Sequence, residues 1–236
     1  MAVLGHLFSR HINDLILRFY RRSKPNRRPI LWLLSRNDRN PVRCAGTKNC
    51  REVYENHSYE NTGGVLVFDL PDLVQIRGDN IHVFQNLIEN NNLNNFAPPG
   101  NIVGKVLPGT GVMILAANNV HIYENTIRNN KSVGTGIVSY FITEEPMTDK
   151  TYNPYTSDIH VYNNNYDRNV GLPTLNYEIG KLMAIKYGRT TPDIIYDGMQ
   201  DPRVTSGLCI QNNAKADFTN LDIEHNFEKW YSPFIS

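Results

Sequence analysis

Apolar and polar residues alternate with period two in three short segments: Asn80–Asn86 (Asn-Ile-His-Val-Phe-Gln-Asn), Asn119–Asn125 (Asn-Val-His-Ile-Tyr-Glu-Asn) and Asp158–Asn164 (Asp-Ile-His-Val-Tyr-Asn-Asn). They begin 39 residues apart each time. The alternation predicts strands that turn Ile81 and Val83, Val120 and Ile122, and Ile159 and Val161 to one side and the His and aromatic residues to the other. A lone strand of this length cannot bury its apolar face, whereas successive copies stacked on one another can.

Each copy closes on an asparagine, Asn86, Asn125 or Asn164, and five positions later comes another, Asn91, Asn130 or Asn169. Asn56 and Asn61 mark an imperfect earlier copy, with Arg51 where the later ones have Ile or Val. A Gly-led second strand is expected after the asparagine turns, at Gly64–Phe68, Gly111–Leu115 and Gly136–Tyr140, and more weakly at Gly207–Gln211. Its glycine marks a place where a Cβ would strain the backbone. The expected fold is all-β, a right-handed parallel β-helix with coils about 4.8 Å apart, in which equivalent asparagines pass side-chain hydrogen bonds along the axis.

With 236 residues and an apolar fraction of 40%, the chain is long enough for one cored domain. Charge divides it. Residues 1–43 hold ten Arg or Lys against Asp14 and Asp38, a balance of +8, which leaves −7 for the rest of a chain whose net charge is +1. An acidic body argues against a nucleic-acid groove. Residues 1–45 are expected to stand apart from a β-helix domain at 46–236. Leu4–Tyr20 and Ile30–Leu34, apolar with interspersed Arg, predict a short amphipathic helix broken at Pro25 and Pro29. It could cap the first coil, lie on a membrane surface as a basic targeting segment, or lack fixed order. No secretory signal and no transmembrane span is legible.

Residues 61–71 (Asn-Thr-Gly-Gly-Val-Leu-Val-Phe-Asp-Leu-Pro), 95–104 (Asn-Phe-Ala-Pro-Pro-Gly-Asn-Ile-Val-Gly), 108–114 (Pro-Gly-Thr-Gly-Val-Met-Ile) and 193–198 (Asp-Ile-Ile-Tyr-Asp-Gly) resemble the parallel β-helix repeat-containing proteins of bacterial cell envelopes, within the pectin-lyase-like superfold. The resemblance covers roughly 49–227; several upstream coils and the export signal are not matched. It implies a periplasmic, outer-membrane-anchored or extracellular protein, and a c-type cytochrome-like protein as one partner to expect.

Candidate chemistry falls in the connections, which in stacked repeats project from one side and can wall a groove. Asp72, Glu144, Glu145, Asp193, Asp197 and Asp201 supply carboxylates, Lys181, Lys186 and Arg189 cations, and Tyr177 an aromatic wall. A uronic-acid lyase or epimerase would need a base and a neutralising cation, and a hydrolase a carboxylate pair. The Asp-Pro-His motif associated with mannuronan epimerases is absent. The expected function is therefore non-catalytic, carbohydrate binding or scaffolding, with a polysaccharide as ligand; a polysaccharide-acting enzyme and a cytochrome-docking module are the alternatives. No cofactor is expected. His82, His121 and His160 should form an outward column with Glu52, and Tyr54, Phe84, Tyr123 and Tyr162 a parallel aromatic one. Three in-line imidazoles would span about 10 Å, too far to share one metal ion, so none is expected. Cys209 is expected as a small buried hydrophobe, and a Cys44–Cys50 bridge is conceivable on spacing alone.

Overall fold

The computed structural model describes residues 31–33, 51–71, 79–97, 100–167, 171–204 and 207–228. Asp72, Asn169, Cys44, Cys50 and nearly all of the segment 1–45 lie outside them. In chain order the strands are β1 (Leu31–Leu33), β2 (Arg51–Tyr54), β3 (His57–Tyr59), β4 (Gly63–Phe68), β5 (Asp79–Phe84), β6 (Leu87–Glu89), β7 (Thr110–Leu115), β8 (Asn118–Tyr123), β9 (Thr126–Arg128), β10 (Val133–Val138), β11 (Ser157–Tyr162) and β12 (Asn165–Asp167). Helix α1 (Glu178–Tyr187) follows, then β13 (Ile194–Tyr196), β14 (Leu208–Gln211) and β15 (Phe218–Asn220).

The chain visits three sheets in rotation. One contains β2, β5, β8, β11 and β14, a second β3, β6, β9 and β12, and a third β4, β7, β10, β13 and β15, every pairing among these being parallel. Among the described residues only β1 runs antiparallel, against Val65–Val67; Leu31–Leu33, expected within a helix, is a strand because it pairs along the edge of β4. Stacked parallel sheets of this kind are compatible with a β-helix. The inward positions read from the sequence, Ile81, Val83, Val120, Ile122, Ile159 and Val161, all lie in the central core with Val65, Val67, Val112, Ile114 and Ile137.

Asparagine corners set the register. Asn56 donates its backbone N–H and Nδ2 to Asn86 Oδ1 at 3.0 and 2.9 Å, and Asn86 does the same to Asn125, Asn125 to Asn164, and Asn164 to Asn213. A second ladder runs Asn61 to Asn91 to Asn130. The residue before each rung of the first ladder, Glu55, Gln85, Glu124, Asn163 and Asn212, has φ between 54° and 56°, a left-handed conformation that folds the chain sharply into the rung.

At Gly64, Gly111 and Gly134 glycine is required for want of space rather than for positive φ. A Cβ on Gly64 would lie 2.6 Å from the carbonyl oxygen of Gly111, one on Gly111 2.5 Å from that of Gly134, and one on Gly134 2.7 Å from that of Asp193. The equivalent of Gly64 and Gly111 is thus Gly134, not Gly136, which pairs with Met113. Gly207–Gln211 also differs from expectation. Leu208–Gln211 joins the sheet of His-bearing strands, in register with Ile159–Tyr162, because Leu208 and Ile210 repeat the inward positions of that strand. The third sheet is continued instead by β13, from inside residues 171–204, a stretch whose charged residues read as one long connection between strands. That stretch also holds α1, whose Ile179, Met183 and Tyr187, spaced by four, pack on Val133 and Ile195.

Replacing Asn125 by Ala leaves the backbone N–H of Asn86 without its acceptor and removes the Nδ2 that donates to Val83 O, Tyr123 O and Asn164 Oδ1, so urea unfolding should show a loss of about 3 kcal/mol. Asn94→Ala, at an exposed position, should stay within about 0.5 kcal/mol.

Candidate functional site

Two places bring candidate residues together: the outward face of the His-bearing sheet, and a pocket among the connections. On the face, parallel pairing puts Glu52, His82, His121, His160 and Cys209 in one column. The imidazoles stack with centroids 4.8 and 4.5 Å apart and planes within 7° of parallel. Beside them Tyr54, Phe84, Tyr123 and Tyr162 stack at 5.0, 4.9 and 5.0 Å. The columns meet edge to face, His82 against Tyr123 and His121 against Tyr162. His121 Nε2 bonds Asn119 Oδ1 at 3.1 Å and His160 Nε2 bonds Asp158 Oδ1 at 3.0 Å.

Parallel imidazoles this far apart aim their lone pairs side by side, whereas a shared ion needs two nitrogens converging at roughly 2.0–2.1 Å each. Among the described residues no group of three or more His, Cys, Asp or Glu is placed to hold a metal. The aromatic column offers little to a flat sugar ring, since the stacked rings largely cover one another. Cys209 is exposed, contrary to expectation: it alternates with the inward Leu208 and Ile210, and so takes the outward phase.

The pocket has a volume of about 260 Å³ and is lined by Asn95, Asn101, Lys105, Glu145 and Tyr177 together with Ala97, Gly100 and Gly104. Three connections build it: the one after β6, the one after β10, and the lead into α1. Asn95 shapes the first, donating from Nδ2 to the carbonyls of Val103 and Val106 at 2.8 and 3.0 Å and accepting from Ala97 N–H. Asn101 caps the short turn Ile102–Lys105 by accepting from Val103 N–H. Tyr177 closes the other side, its hydroxyl donating to Gly104 O at 3.2 Å. Lys105 pairs with Glu145 at 2.7 Å and also donates to Thr143 O. The lining therefore holds one cation and one anion that neutralise each other. Among the described residues no partner takes the Asn101 side-chain NH2, Glu145 Oε2 or the Tyr177 oxygen lone pairs, which are left to a ligand.

The other candidates do not join this pocket. Lys181 pairs with Glu178 on the exposed side of α1, and Glu144 and Arg189 are exposed elsewhere. Asp193 exchanges backbone hydrogen bonds with Asp217, each carboxylate accepting from the other's N–H. Asp197, expected on a groove, is fully buried because β13 carries it into the third sheet. Its carboxylate accepts from the N–H groups of Ser139 and Met199 at 2.6 and 3.0 Å, and burial pushes its pKa up to about 6. Asp201 is clamped by Arg203 through both oxygens at 2.8 Å, which holds it at about 2.

Three polar pocket residues, Asn95, Asn101 and Lys105, and the last rung, Asn213, escaped the sequence reading. The rung had a signal: Leu208-Cys-Ile-Gln-Asn-Asn213 repeats the pattern of Ile159–Asn164 after an interval of 49 residues instead of 39. Comparison of the chain with known protein families, with curated proteins and with solved structures finds no match.

Burial, and then the neighbouring imidazoles of His160 and His82, hold His121 below the ordinary histidine value; Asp158 pulls the other way. With the folded pKa depressed, the unfolded chain takes up the proton first. Stability is full above about pH 6.5 and declines as pH falls through that value. Asp197 acts in the opposite sense, its burial penalty easing as pH drops through about 6. Urea midpoints of wild type and His121→Gln, compared at neutral and mildly acidic pH, isolate the histidine. The wild type should lose more stability on acidification than the variant, and equal losses would remove the assignment.

Proposed function

We propose that this chain is a right-handed β-helical solenoid that binds carbohydrate without altering it, in the pocket formed by Asn95, Asn101, Lys105, Glu145 and Tyr177. The observation that carries the reading is the chemistry of that pocket. Its two charges are mutually paired, and its uncommitted groups are an amide NH2, a carboxylate oxygen and a phenol oxygen. Such a set of separate donors and acceptors beside an aromatic side chain suits a neutral polyhydroxylated ligand better than an anion. A cavity of about 260 Å³ lies just below the range of drug-sized ligand sites and suits one sugar unit of a longer chain. The same lining speaks against hydrolysis by paired carboxylates, because Glu145 is its one carboxylate and is already engaged by Lys105. The resemblance to β-helix repeat proteins of bacterial envelopes agrees with a polysaccharide ligand outside the cytoplasm.

A glycan-array screen of the full chain, followed by product analysis of any bound sugar, tests the reading. A neutral oligosaccharide should bind and be recovered intact. Tyr177→Ala should weaken that binding roughly tenfold, the cost of losing one aromatic contact and one hydrogen-bonding oxygen. Recovery of shortened or unsaturated sugar would make the protein an enzyme, and binding indifferent to Tyr177 would move the site elsewhere.

A further inference from the structure

In the pocket, each polar group left to a ligand belongs to a side chain that is already fixed through another atom. Asn101 uses Oδ1 to cap the turn Ile102–Lys105, accepting from Val103 N–H at 3.1 Å, and its NH2 remains as a donor. Glu145 is tied through Oε1 to Lys105 at 2.7 Å, and Lys105 is itself anchored on Thr143 O, so Oε2 remains as an acceptor. Tyr177 is pinned by the bond it donates to Gly104 O at 3.2 Å. Groups held in this way meet a ligand without first having to be ordered.

The apolar part of the lining is equally set. Asn95 commits its amide to the backbone, Nδ2 to the carbonyls of Val103 and Val106 and Oδ1 to Ala97 N–H at 2.9 Å. Ala97, held there, packs against the buried cluster that contains Leu66, Phe68, Val103 and Val106, and Gly100 and Gly104 add no side chain to the lining. The pocket thus combines a neutral donor, a charged acceptor and a methyl-bearing surface.

A ring bearing only hydroxyls answers the polar groups with oxygens that both donate and accept, and it brings no methyl to Ala97. An acetamido substituent has the three features separately: its carbonyl only accepts, its N–H only donates, and a methyl stands at its end. An acidic sugar would set a second carboxylate against Glu145, and a free amino sugar would bring an ammonium towards Lys105 while leaving the Asn101 donor unmatched.

Resting on the carbohydrate reading of this pocket, we infer that the sugar it selects is a 2-acetamido-2-deoxyhexose, whose acetyl oxygen accepts from the Asn101 NH2, whose amide N–H donates to Glu145 Oε2 and whose methyl lies on Ala97. Asn101 and Glu145 then decide which sugar is held, and Tyr177 contributes to holding any sugar.

Calorimetric titration of the full chain with N-acetylglucosamine, N-acetylgalactosamine, glucose, galactose and glucosamine supplies the test. At least one acetamido sugar should bind about tenfold more tightly than its parent hexose, the size of one charge-assisted hydrogen bond at a site open to water. In saturation-transfer NMR its acetyl methyl should receive more saturation than any ring proton. Asn101→Asp keeps the oxygen that caps the turn and removes the NH2, so this variant should fold as the wild type does and show a preference of about twofold or less. Equal binding of acetamido sugar and parent hexose, a preference for glucosamine, a methyl that gathers less saturation than the ring, or a preference unchanged in Asn101→Asp would each overturn the inference and leave the carbohydrate reading in place. Binding of none of the five would also overturn it, and a glycan array without a hit would remove the carbohydrate reading as well.

Discussion

The structure depends on one recurring interaction, the pair of hydrogen bonds that each corner asparagine gives to the Oδ1 of the next. Backbone turned sharply inward must bury its polar groups, and a buried amide without a partner costs about 1–3 kcal/mol. Asn86, Asn125 and Asn164 meet that demand three ways at once: they accept from the preceding rung, donate to the following one, and return Nδ2 to carbonyls of their own and the preceding strand. Only a short side chain with both an acceptor and two donors can do this, which explains why every rung of the ladder is asparagine. The left-handed residue ahead of each rung is tolerated because the ladder fixes the turn that follows it.

From this constraint the rest of the architecture follows. Rungs in line bring β2, β5, β8, β11 and β14 into register, and register sends Ile and Val inward while His and aromatic residues stack outward. Connections are free to vary in length so long as they deliver the next strand to its place. Variation therefore collects there, and so does the polar pocket of Asn101, Lys105, Glu145 and Tyr177. The repeat supplies rigidity, and the loops supply chemistry.

How much of this the amino-acid sequence discloses depends on periodicity. Where the interval holds at 39 residues, the strands, their inward residues, the asparagine corners and the His and Tyr columns are all legible. Where it stretches to 49, Leu208–Gln211 passes for a different strand and Asn213 goes unnoticed. β13 is hidden because Ile194–Tyr196 is three residues long and follows a helix, so neither period two nor a leading glycine announces it. Asp197 then looks like a loop carboxylate, when the strand before it carries it into the interior. The pocket illustrates a different limit. Glu145 and Tyr177 are visible as candidates, but Lys105 comes from a connection in which nothing sets it apart, and only the folded backbone brings the three together.

The asparagine side chains are structural members of the fold. Hydrogen exchange of their Nδ2 protons, followed by NMR on the native protein, tests this most directly. The side-chain amides of Asn86, Asn125 and Asn164 should be protected and exchange only with global unfolding, while that of the exposed Asn94 exchanges freely. Exchange of the ladder amides as fast as that of Asn94 would contradict the account.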